Sequence, residues 1–141
     1  MTPSSLIAAG YTVVPVVHST KRPAIPGWTS ADYTSPDPED YWPSGSLERY
    51  GVGIVCGRGL MVVDVDDWAA WKAVCALHGW DAEHPPGARG SARTPSGGRH
   101  FYFALPDGVE ASNANTFPDG IDVRGAGGYV VAPPTPGYRW V

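Results

Sequence analysis

The chain has 141 residues, 43% of them hydrophobic, a length and an apolar content that suit one globular domain with a real core. Ten Lys and Arg stand against fourteen Asp and Glu, a net charge of −4 that excludes the strongly basic proteins which grip duplex DNA through many phosphate contacts. Eighteen Gly and fifteen Pro argue for short elements separated by turns and against a helical bundle. The first residues carry no basic, apolar leader and no run approaches a membrane span, so a soluble cytosolic protein is expected, with Cys56 and Cys75 as reduced thiols.

Taken in chain order, Thr2-Pro3 opens a short helix over residues 4–9 that Gly10 ends. Residues 11–17 read as a strand, 18–33 as a loop holding Lys21, Arg22 and Trp28, and 37–42 as an acidic helical turn. Residues 52–55 and 60–66 are expected to pair as a hairpin around Cys56-Gly57-Arg58-Gly59. Asp67 caps a helix that runs to about His78, with Trp68, Trp71 and Cys75 on one face and Gly79 at its end. Residues 80–90 form a polar loop, and 99–105, 121–124 and 129–132 are strands, the last two expected to pair across Gly125–Gly128. Strands outnumber helices, so the fold class is α+β, a mainly antiparallel sheet with flanking helices.

Three segments carry the chemistry. In Val62-Val63-Asp64-Val65-Asp66-Asp67, strand alternation puts the Asp64 and Asp66 carboxylates on one face while Val63 and Val65 enter a core. Two like charges side by side either share a hard cation such as Mg²⁺ or Mn²⁺, or belong to a strand running out into an acidic turn with Asp67 as a helix cap. The segment Arg93-Thr94-Pro95-Ser96-Gly97-Gly98-Arg99-His100-Phe101 is a small-residue turn entering an aromatic strand. Its glycines let backbone N–H groups approach an anion, and alternation sets His100 and Tyr102 opposite Phe101 and Phe103. Arg89, Arg93 and Arg99 lie in a stretch from Pro85 to Pro106 without an acid, a local positive field in an acidic chain. A solvated glycine hairpin reads equally well from this segment alone. In Ile121-Asp122-Val123-Arg124, Asp122 and Arg124 share the polar face of a strand, as a surface ion pair or as part of a site.

In this order, Asp-x-Asp, Ser-Gly-Gly-Arg-His and Ile-Asp-x-Arg, followed by Gly-Gly-Tyr-Val-Val-Ala-Pro-Pro, the chain resembles the bifunctional primase/polymerase (prim-pol) N-terminal family of the archaeo-eukaryotic primase superfamily, known from phage and plasmid replication proteins. The likeness extends from Lys21-Arg22-Pro23 and Gly27-Trp28, through residues 51–57, to Tyr138-Arg139-Trp140. It implies a small palm-like, RRM-related catalytic core that is the N-terminal part of a larger replication protein, with a helicase as a further domain or partner.

The same resemblance implies a DNA primase/polymerase that works on NTP or dNTP and a single-stranded DNA template with two Mg²⁺ or Mn²⁺ ions. Asp64, Asp66 and Asp122 match the metal-binding acids, and Ser96, Arg99 and His100 the nucleotide motif. His100 is expected among the catalytic groups, and the Gly97-Gly98 backbone, Arg93 and Arg124 complete the expected nucleotide contacts. Some relatives carry a zinc insertion between the first two motifs, but Cys75, His78 and His84 offer one cysteine, so zinc is not expected. A metal-dependent phosphoesterase or nuclease uses similar acids, and a noncatalytic nucleic-acid-binding module is the other competing reading.

Overall fold

The computed structural model describes residues 1–113 and 117–141. Its elements, in chain order, are α1 (Pro3–Ala8), β1 (Val13–Val16), α2 (Pro38–Tyr41), β2 (Gly51–Val55), β3 (Leu60–Val65), α3 (Trp68–His78), β4 (Ala88–Arg93), β5 (Arg99–Ala104), β6 (Ile121–Arg124), β7 (Tyr129–Ala132) and β8 (Arg139–Trp140). The fold is α+β with two antiparallel sheets and few helices, the class expected from the excess of strands over helices in the sequence. The chain divides into two compact units, one of residues 1–55 and 129–139 and the other of residues 56–128 and 140–141. Among the described residues, no helix is long and apolar enough to cross a membrane.

The first unit is built on the sheet β1-β2-β7. Helix α1 starts with a reciprocal cap, the Thr2 hydroxyl accepting from Ser5 N and the Ser5 hydroxyl from Thr2 N, and Pro3 fits the first turn because that position needs no N–H. Every residue of β1 and β2 is buried. Pro15 is tolerated because β1 lies at the sheet edge. Trp42 is fully buried and donates its indole N–H to Gly51 O at 3.2 Å. Thr135, also fully buried, accepts from Val52 N at 2.8 Å and donates to Val52 O at 3.2 Å.

The second unit holds the sheet β6-β3-β5-β4-β8. The Asp67 side chain accepts from Ala70 N at 3.0 Å to start α3, and Gly79 ends the helix in the left-handed region (φ +68°), both where the sequence predicts them. Trp71, Val74 and Cys75 of α3 pack with Val63, Val65, Phe101 and Ile121 in one buried cluster. Trp71 lies nearly parallel to Phe101 at 5.4 Å and donates to Ala82 O.

Three expectations about pairing differ from the structure. β2 and β3 do not form a hairpin ladder: Gly57, Arg58 and Gly59 all have positive φ, and after one isolated bridge, Gly57 to Leu60, β2 pairs with β1 and β7 while β3 pairs with β5 and β6. β7 likewise pairs with β2 rather than with β6. The loop between β6 and β7 is pinned elsewhere, since a Cβ on Gly125 would meet the Ala111 carbonyl oxygen, and Ala126 N donates to that same oxygen. β4 falls partly in the expected polar loop. Its sequence, Ala-Arg-Gly-Ser-Ala-Arg, has no apolar alternation, and its ladder to β5 makes it a strand.

The Thr135 hydroxyl serves both polar groups of Val52 in a site with no solvent. Thr135→Val, which keeps the shape and removes the hydroxyl, is expected to lower unfolding free energy by about 1–3 kcal/mol, and Thr135→Ser to keep most of it, as measured by urea denaturation.

Candidate metal centre

The register of the second sheet decides which side chains meet. Asp64 on β3 lies directly opposite His100 on β5 and Asp122 on β6, so the three share one face of the sheet. One carboxylate oxygen each from Asp64, Asp66 and Asp122 lies within 4.8 Å of the others. Like charges at directly paired positions are destabilising in a sheet, and a third carboxylate at the strand end adds to the repulsion. Two basic side chains border the group. His100 Nε2 is 3.3 Å from Asp64 Oδ1, and an Arg124 guanidinium nitrogen is 3.9 Å from Asp64 and 3.8 Å from Asp122.

Backbone packing fixes Asp66 just beyond β3. Asp66 N and Asp67 N both donate to Gly120 O, at 2.7 and 3.1 Å. A Cβ on Gly120 would lie 2.6 Å from Asp67 Cβ, so only glycine fits there. From the other side, Gly98 presses on the end of β3: a Cβ there would come within contact of Val65 O and 3.0 Å from Thr94 Oγ1. The turn before β5 is thus seated against the acid-bearing end of β3. Within it, Thr94 N donates to Gly98 O and Gly97 N to Thr94 O, Gly97 has φ +87°, and the exposed Ser96 hydroxyl is 3.3 Å from Thr94 Oγ1.

The structure therefore brings Asp64, Asp66, Asp122, His100 and Arg124 together, with the turn that holds Ser96, Gly97 and Gly98 beside them. It does not bring Arg99 into that group. Arg99 is opposite Val65 in the ladder and shares the α3 face with Phe101. Its guanidinium lies 5.1 Å from the Trp68 ring and 5.8 Å from Phe101, bonded to Glu83 Oε2 at 2.8 Å, and the side chain is 5% exposed. Arg93 is cross-strand from Arg99 and exposed. Of the histidines and cysteines weighed as zinc ligands, Cys75 is buried in the α3 core, His78 stacks on Trp80 at 4.4 Å and His84 pairs with Asp81 at 3.5 Å.

Sequence reasoning missed two residues that shape this region. Gly120 and Glu83 have no local signal beyond an Asp-Gly pair before a strand and an acid in a loop. Gly98 was legible as an anion-approaching glycine, whereas its contact with β3 needs the third dimension.

The donor set fits a metal. All three groups are carboxylate oxygens, hard donors suited to a divalent cation such as Mg²⁺ or Mn²⁺, and they are already crowded together. The Asp66 carboxyl is raised above its ordinary value of 3.8 by partial burial and then by the charges of Asp64 and Asp122, with His100 and Arg124 opposing. Because Asp66 as a whole is exposed, the neighbouring carboxylates are the durable part of that cause. Near Arg124, the Cys56 thiol is pushed up to about 12 by burial, so it is no thiolate ligand at neutral pH.

A raised folded-state pKa means that, between 3.8 and the raised value, the folded metal-free chain holds a proton on Asp66 that the unfolded chain has lost. Its stability contribution falls as pH rises from 3.8 through the raised value, then stays constant. Asp66→Asn is expected to raise the melting temperature of the metal-free protein at pH 7 and to leave it unchanged at pH 3. Added Mn²⁺ is expected to stabilise the wild type more than the variant. Melting curves at the two pH values with and without Mn²⁺ check this.

No curated protein matches the chain. The family described as Prim-Pol, bifunctional DNA primase/polymerase, N-terminal, matches residues 4–141, a span that contains the acids, the Ser-Gly-Gly-Arg-His turn and all the strands that hold them. With its three acids gathered at the end of β3 and its motifs in the expected order, this chain belongs to the bifunctional DNA primase/polymerase N-terminal family.

Proposed function

We propose that the chain is a template-directed nucleotidyltransferase that makes and extends primers on single-stranded DNA during replication. Membership of the primase/polymerase family supports this at the level of reaction type. The observation that carries the finer reading is the cluster of Asp64, Asp66 and Asp122 in register beside His100.

In this reading, Asp64, Asp66 and Asp122 hold two divalent ions, Mg²⁺ or Mn²⁺. When bound, such ions stabilise the attacking 3′-oxygen and the leaving pyrophosphate. The chain's own residues do the rest. Ser96 and the Gly97-Gly98 backbone offer donors to the triphosphate at the strand end that bears Asp66. His100, only 7% exposed in its side chain, is held in one place by β5 and presents a ring N–H donor at the border of the acids. Arg124 is 40% exposed and lies between Asp64 and Asp122, so it balances their charge and can swing to a phosphate. Arg93 and Arg89, both exposed on β4, suit template phosphates. Arg99 drops out of the nucleotide-binding set because its guanidinium is buried, lies over the Trp68 ring and is already paired.

Asp64→Ala and Asp66→Ala are each expected to lower labelled-nucleotide incorporation by at least about 100-fold, the scale on which removing one electrostatic stabiliser acts, with the fold intact by circular dichroism. The wild type is expected to release pyrophosphate from a nucleoside triphosphate. Release of nucleotides from the DNA itself would mark a nuclease, and full activity in both variants would reject the site.

A further inference from the structure

We propose that Arg99 is a positioning residue: with Glu83, Trp68 and Phe101 it clamps the start of β5 to helix α3, so that Gly98 and His100 keep their places beside the three acids, and it touches no nucleotide. This rests on the reading of the acid cluster and His100 as the reacting centre.

β5 begins with Arg99, and its neighbours on either side, Gly98 and His100, both face the acid-bearing end of β3. Arg99 points the other way. Its guanidinium reaches Trp68, the first residue of α3 and two residues beyond Asp66, and is tied to Glu83 in the loop that follows the helix. One side chain thereby joins the strand carrying His100 to the helix that starts where β3 ends. A planar guanidinium can stack on the rings and bond Glu83 at once, which an ammonium cannot match. Glu83 is half exposed, while Arg99 is almost fully covered, so losing the carboxylate leaves a buried cation without its partner. Arg99 is the first residue of β5, so a shift of its backbone to relieve the cation would act directly on Gly98 and His100. Gly98 has no room to absorb that shift toward β3, where a Cβ would already overlap Val65 O.

Two variants of the full chain, Glu83→Ala and Arg99→Lys, test this through steady-state incorporation of a labelled nucleotide and amide hydrogen exchange across residues 98–101. Both are expected to lower kcat by about tenfold with nucleotide KM within about twofold, the pattern of a misplaced group rather than a lost substrate contact. Both are also expected to speed exchange at His100 by about tenfold. A lower nucleotide KM in Glu83→Ala would overturn the proposal, since a phosphate-binding Arg99 released from Glu83 would bind better. Unchanged kcat and exchange in Glu83→Ala would overturn it equally. If the wild type incorporates no nucleotide, the reading of the centre fails, and the exchange rates alone decide the clamp: faster exchange supports it and unchanged exchange rejects it.

Discussion

Repulsion among three carboxylates is the constraint on which the second unit depends. Asp64 and Asp122 occupy directly opposed positions of neighbouring strands, and Asp66 follows Asp64 on the same face. A sheet selected for stability alone would put an opposite charge or an apolar residue at one of these positions. Here the cost is lessened by His100 and Arg124 beside the acids. Much of the surrounding backbone serves to keep the acids together. Gly120 accepts both N–H groups that follow β3, Gly98 closes on the same strand end from β5, and Asp67 turns the chain at once into α3.

The two faces of β5 divide the labour. His100 looks toward the acids, while Arg99 and Phe101 look toward α3. The α3 face is apolar and aromatic, with Trp71 and Phe101 nearly parallel and Val63, Val65 and Ile121 filled in beneath. That packing gives the polar face a rigid floor, because strand positions anchored on one side cannot slide without exchanging every side chain between faces.

Much of this was legible in the sequence where the signal is local. The cap at Asp67, the left-handed Gly79, the alternation of Asp64 and Asp66 with valines, and the opposite facing of His100 and Phe101 all follow from residue type and period. The same alternation sets Arg99 beside Phe101, although its place next to His100 in the motif suggested a nucleotide contact. Strand partners were not legible. β2, β3, β6 and β7 are all short, so any of them could pair with its neighbour in sequence, and the choice is made by turns such as Gly57–Gly59 and by the contact of Gly125 with Ala111. β4 escaped notice because its small and basic residues lack the pattern of a half-buried strand. Glu83 could not be found at all, since a loop acid says nothing about a cation brought to it from 16 residues away.

The central claim is that the three acids and the β5 turn form one site for metal and nucleoside triphosphate together. The most direct measurement is calorimetric titration of a nucleoside triphosphate into the protein with and without Mn²⁺, repeated with Asp64→Asn. The account predicts binding in the presence of Mn²⁺ that is lost without the metal and lost in the variant. Nucleotide binding of equal strength with and without Mn²⁺, unchanged by Asp64→Asn, would contradict it.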